Sequence, residues 1–62
     1  MIKVYLIDHQ GRLHVDQYAQ TRNFTVDSRG LLWVYPPSSF KMNTSDAWAC
    51  HREWTRFLVE ND

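Results

Sequence analysis

Three histidines, a single cysteine and two turn-forming aspartates are the side chains of this chain with chemistry to offer. A metal centre needs His, Cys, Asp or Glu side chains that converge, and nucleophilic catalysis needs a thiol or hydroxyl within reach of an imidazole. His9 falls in a turn, His14 on a strand and His51 in a helical stripe, so the three point to different places. Cys50 and His51 are neighbours, and on a helix their side chains diverge by ~100°, which rules out a simple thiolate-imidazole pair. Asp8 and Asp27 open turns, where a carboxylate caps local N–H groups and needs no acid-base role. The two glycines, Gly11 and Gly30, belong to the same turns, and no phosphate-cradling glycine loop remains. The expectation is a non-enzymatic protein with no catalytic, cofactor-binding or metal site.

Those turns belong to a repeat. Ile7-Asp-His-Gln-Gly-Arg-Leu-His-Val15 returns nineteen positions later as Val26-Asp-Ser-Arg-Gly-Leu-Leu-Trp-Val34. In each copy an Asp opens a three-residue loop that closes through a glycine at positive φ, with a bulge. Loop length sets the register: Ile7 faces Leu13, Leu6 faces His14, Tyr5 faces Val15 and Val4 faces Asp16. In the second copy Val26 faces Leu32, Thr25 faces Trp33 and Phe24 faces Val34.

The strands of these hairpins are Ile2 to Asp8, Arg12 to Tyr18, Asn23 to Asp27 and Leu31 to Tyr35, runs rich in β-branched and aromatic residues. Pro36-Pro37 ends the sheet and Ser38 to Met42 connects. From about Thr44 the pattern is helical: Ala47, Cys50, His51, Trp54, Phe57 and Leu58 share a stripe opposite Ala49, Arg52, Glu53, Arg56 and Glu60. Asn43 would cap that helix, with Met42 stapling onto Ala47. The predicted fold is therefore one α+β domain over 1-62, an antiparallel four-stranded sheet with a C-terminal amphipathic helix across one face (ββββα). A plain meander is the default strand order, with 2-1-4-3 as the alternative that buries the apolar first and fourth strands.

Tyr5, Ile7, Leu13, Val15, Phe24, Val26, Leu32 and Val34 form a uniformly apolar face, the predicted core. Parity leaves Ile2, Val4, Leu6, His14, Asp16, Tyr18, Thr25, Leu31, Trp33 and Tyr35 on the other side, and one helix cannot cover both. A solvated face should be polar, and an uncovered apolar one marks an interaction site. Val4, Leu6, His14, Tyr18, Leu31, Trp33 and Tyr35 are thus the candidate partner-binding residues, unless Ser38 to Met42 folds beneath the sheet and covers them.

Seven basic residues balance seven acidic ones, so nothing long-range steers a charged ligand. The lone Cys50 cannot form an intramolecular disulfide, and no signal segment precedes the first strand, so a reducing, cytoplasmic setting is expected. The longest apolar runs fall far short of the ~20 residues of a membrane span. The Asn23 and Asn43 glycosylation patterns have no consequence without secretion.

Three partners fit. The preferred reading is a binding module that covers part of another protein through its aromatic sheet face or a sheet edge. Small phage or mobile-element inhibitors of host proteins, anti-CRISPR proteins among them, share this general profile. Nucleic acid is the second: His14, Tyr18, Trp33 and Tyr35 could stack bases. Strand-then-helix order with Thr44-Ser45-Asp46-Ala47-Trp48 also resembles the small arm-binding domains of phage integrases, though this chain lacks the basic residues those domains carry on the sheet. The third is a homodimer that buries the second face against its twin.

Overall fold

A computed structural model describes residues 1–61. Six strands follow in order: β1 (Ile2–Ile7), β2 (Leu13–Tyr18), β3 (Asn23–Val26), β4 (Leu32–Tyr35), β5 (Ala49–His51) and β6 (Trp54–Val59), with a 3-10 turn at Thr44–Asp46. The described residues contain no α-helix, so the expected α+β fold with its C-terminal helix is corrected to an all-β one. None of their helices is long and apolar enough to cross a membrane.

Both repeated hairpins form as their turn chemistry requires. Asp8 N–H donates to Arg12 O at 2.9 Å and Asp27 N–H to Leu31 O at 3.0 Å, while Gly11 and Gly30 adopt φ of 81° and 83°. The ladders carry the expected registers, Ile7 with Leu13 through Val4 with Asp16, and Val26 with Leu32 through Phe24 with Val34. Each Asp organises its loop through its carboxylate. Asp8 Oδ1 accepts the N–H groups of Gln10 and Arg12, and Asp27 Oδ1 those of Arg29 and Leu31.

The hairpins do not share one four-stranded sheet, as neither the meander nor the 2-1-4-3 order anticipates. They belong to two three-stranded antiparallel sheets, β2-β1-β6 and β3-β4-β5. β1 and β4 are central, one in each sheet, and the core lies between them. Ile2 and Val4 are fully buried against Leu32 and Val34, with Leu6, Tyr18, Phe24, Trp54 and Phe57 packed around.

This corrects much of the face assignment. The second hairpin buries Leu32 and Val34 as expected but leaves Val26 45% exposed and buries Tyr35, and the first turns Ile2, Val4 and Leu6 inward and leaves Ile7, Leu13 and Val15 exposed. Both faces of β1 are largely apolar, Lys3 being the one charged residue of the strand, so hydrophobicity alone does not choose decisively between them. The choice follows from geometry, because the first hairpin packs against the second rather than extending it.

The expected helix fails for a related reason. β1 is apolar on both sides and needs a hydrogen-bonded neighbour along each edge, which a helix cannot supply. β6 supplies it with Trp, Thr, Phe and Val, residues that favour a pleated surface. Leu6 pairs with Trp54 while Tyr5 pairs with Arg56, so Thr55 is an inserted residue, a bulge whose hydroxyl donates to Tyr5 O at 3.0 Å. The bulge lets Trp54 and Phe57, three apart, face the same side, and that spacing imitates a helical stripe. Asn43 precedes the 3-10 turn without a side-chain cap, and Met42 sits at φ 51°.

Two predictions follow from the turns. A Cβ at Gly11 or Gly30 would meet no atom within 4 Å, so Gly11→Val and Gly30→Val carry a purely conformational penalty. Each should lower stability by about 1 kcal/mol or more in urea titration, with Gly→Asn costing less. The Asp27 carboxyl is held well below the usual range by Trp33 Nε1–H, then by the Leu31 and Arg29 donors; Asp8 is lowered by Arg12 N–H and His14. Their ionised forms thus stabilise the fold above the ordinary carboxylate range near pH 4, and that stabilisation is lost as pH falls. Asp27→Asn should be less stable at pH 7 and flatter on the acid limb of a stability-pH curve.

Candidate functional site

The structure brings two of the three histidines to carboxylates, each at the edge of the first sheet. His14 Nε2 lies 2.7 Å from Asp8 Oδ2, fastening β2 to its own turn. The Tyr18 hydroxyl lies 2.6 Å from His51 Nε2, and His51 Nδ1 lies 3.9 Å from Asp16 Oδ2. His51 comes from β5 and the other two from β2, so this line of three groups crosses from one sheet to the other. Sequence reasoning placed His51 on a helix and missed the arrangement; the fixed register of Asp16 and Tyr18, two apart on one face, was its readable half.

Carboxylate, imidazole and hydroxyl in sequence have the order of a proton relay. The Tyr18 phenol, however, is pushed up in pKa, chiefly by burial and then by the negative charge of Asp16. It keeps its proton at neutral pH, the opposite of an activated nucleophile. The line acts as a polar clasp between β2 and β5. His9 is exposed in its turn, Cys50 is exposed and pairs with Trp33 in register, and no metal-holding group of three or more His, Cys, Asp or Glu gathers among the described residues.

The sequence-derived partner-binding residues do not form one surface. Val4 and Tyr35 are buried, Leu6 and Tyr18 are half-buried in the intersheet space, Leu31 and Trp33 are half-buried around the second sheet, and His14 is exposed. Trp33 Nε1–H donates to Asp27 at 3.1 Å, and Tyr18 is bonded to His51. All four groups proposed to stack bases are therefore buried or already hydrogen-bonded within the chain, His14 to Asp8 among them. Asn23 Nδ2 reaches the carbonyls of Pro36 at 3.1 Å and Ser39 at 3.2 Å, which folds the start of the connector back against β3. Phe40 within it stays 95% exposed.

The uncovered apolar face is the outer side of the first sheet. Leu13 is 64% exposed, Ile7 47%, Leu58 41% and Val15 40%. Register sets Ile7 beside Leu13 and Tyr5 beside Val15, while Leu58 lies across from Lys3 at the other end of the face. The Arg56 guanidinium lies 4.4 Å from the Tyr5 ring centroid, and Lys3 on the central strand pairs with Glu60 at 3.3 Å, so both basic groups on this face have partners within the chain. Three strands of six residues present a face of about 300 Å² from strand spacing and rise. Ile7, Leu13 and Val15 are the apolar part of that face, which it shares with Lys3, Gln17 and Arg56; exposed apolar groups gathered on one side of a small domain make it the candidate interaction surface.

Comparison of the chain with protein families, with characterised proteins and with solved structures finds no match. The phage or mobile-element inhibitor reading therefore draws no support from relatives.

The clasp generates a test. Tyr18→Phe removes one part-buried hydrogen bond and should destabilise by about 1 kcal/mol at pH 7. Because the folded-state phenol pKa is raised above the unfolded value near 10, wild-type stability should decline as pH rises through that value. The Tyr18→Phe variant should decline less, as read by urea unfolding at pH 7 and at pH 10.5 to 11.

Proposed function

We propose that this protein is a non-enzymatic binding module that docks a protein partner on the outer face of its first sheet. The observation that carries the reading is Leu13, nearly two-thirds exposed at the start of β2, with Ile7 beside it and Val15 two residues on along the same face. The hydrophobic effect favours covering such a face, and small domains have few other means of acting on a neighbour. The partner that fits is a protein surface with a complementary apolar patch and little charge, since Lys3 and Arg56 already have partners within the chain. The chain's formal charge of zero supports the same reading, because few counterions can be released on binding.

The test uses Ile7→Lys and Leu13→Lys, both at exposed positions, with Phe40→Ser as a control on the connector. Intact folding is checked by tryptophan fluorescence. A partner captured by the wild-type chain from cells that express it should bind each face variant more weakly by about 2 kcal/mol, roughly thirtyfold. The control should bind as wild type, and raising salt should change affinity only a few-fold. Steep loss with salt would mean a nucleic-acid ligand, and unchanged affinity in both lysine variants would remove the face from consideration.

A further inference from the structure

β2 is an edge strand with an unfilled side. In the first hairpin Asp8 and Arg12 are a hydrogen-bonded pair, so alternation assigns Leu6 with His14, Val4 with Asp16 and Ile2 with Tyr18 to the ladder with β1. The N–H and C=O groups of Leu13, Val15 and Gln17 then point away from β1, where the sheet has no further strand among the described residues. Edge strands are usually protected by lysine, proline, a bulge or brevity. β2 has six residues in continuous register with none of the first three. The other edges differ: β3 has four residues, β5 three, and β6 contains the bulge and is fastened to the opposite sheet through Phe57 against Phe24 and Trp54 Nε1 to Gly30 O.

The one protective feature of β2 is Asp16, a charge on the inner side of the edge. We infer that this edge pairs antiparallel with β2 of a second copy, with Val15 on the two-fold axis. In that register Val15 faces Val15 and Leu13 faces Gln17, each facing pair exchanging two hydrogen bonds through the outward groups. His14 falls opposite Asp16 of the second copy, and Asp16 opposite its His14, in the closely spaced non-hydrogen-bonded positions, where the His14 imidazole, whose Nε2 is on Asp8 of its own chain, meets a carboxylate. Sliding the strands by two residues in one direction sets the Asp16 carboxylate against Asp16, where like charges repel. The order Leu13-His14-Val15-Asp16-Gln17 therefore favours one register, and it is self-complementary, which points to a second copy rather than an unrelated strand. The result is one continuous six-stranded sheet, β6-β1-β2-β2-β1-β6. Its outer side joins the two outer faces into one of about 600 Å² by the same strand dimensions, with Leu13 and Val15 of both copies on its two middle strands. This assembly goes beyond the docking reading and does not require it.

The test is sedimentation equilibrium of the whole chain from micromolar to millimolar concentration, together with amide hydrogen exchange at both ends of that range. The wild type should form dimers, and the amides of Leu13, Val15 and Gln17 should exchange at least tenfold more slowly at high concentration, while those of His14 and Asp16 are protected throughout. Val15→Pro removes an outward donor and no bond to β1, and it should be monomeric with native tryptophan fluorescence. Asp16→Lys should weaken dimerisation at least tenfold. If Val15→Pro does not fold, the exchange result decides alone. A monomer at millimolar concentration, or concentration-independent exchange at Leu13, Val15 and Gln17, overturns the inference. So does a dimer that survives both variants and is lost in Leu58→Lys, which would place self-association on the face; loss of a partner in Ile7→Lys with the dimer intact touches only the docking proposal.

Discussion

Everything in this domain depends on the contact between β1 and β4. Ile2 and Val4 meet Leu32 and Val34 across the intersheet space, and these four side chains lose all their exposure. At about 1.5–3 kcal/mol for each fully buried aliphatic side chain, this small cluster is a large part of what opposes the chain's conformational entropy. Central placement of both strands follows from it. A strand that supplies the core must also satisfy its backbone on two sides, so each of the apolar strands takes an edge strand on either side. The order of the chain then has to bring a distant segment back, and β6 returns from the far end to close the open side of β1.

Around that contact, polar and aromatic fastenings hold the edges in place. Phe24 meets Phe57 at 4.8 Å between ring centroids, and Trp54 hydrogen-bonds Gly30 O, so β6 is tied to the turn and strand of the opposite sheet. On the other side the Tyr18-His51 bond joins β2 to β5. These fastenings explain why residues with catalytic potential have structural positions here. A hydroxyl that donates to or accepts from a half-buried imidazole gains from staying neutral, and burial raises the phenol pKa in the same direction. A clasp and a nucleophile make opposite demands on the same group.

The hairpins were legible because their signal is local. Asp, two polar residues and Gly specify loop length, and loop length specifies register, which is why every pairing within the repeat could be read before the fold was known. Sheet membership was not legible, since it depends on which of two apolar faces of β1 finds a cover. Ile2, Val4 and Leu6 alternate with Lys3, Tyr5 and Ile7, and Lys3 is the only charge in either set. The last third misread as a helix because one bulge at Thr55 converts a strand's spacing of two into three, and Trp54, Phe57 and Leu58 then satisfy a helical stripe. The face assignment is inverted in the first hairpin, so Leu13 and Ile7 were assigned to the core while Val4 was assigned to a surface, and in the second it places Leu32 and Val34 inside but misplaces Val26 and Tyr35.

The exposed face is the expected consequence of how this core is built. A chain of 62 residues buries only roughly 60% of its unfolded surface, and two three-stranded sheets have two inner faces to fill and two outer ones to solvate. A chain with no further function would make both outer faces polar. The second sheet comes closer to this: Trp33 is half-buried with its N–H on Asp27, and Tyr35 is covered. The first sheet keeps Ile7, Leu13 and Val15 together in the open, with the outward backbone groups of the edge strand β2 facing no neighbouring strand among the described residues. Exposed apolar area and an open ladder are separate liabilities for an isolated monomer, and each is removed by association. Their coincidence on β2 argues that this side of the molecule is built for contact.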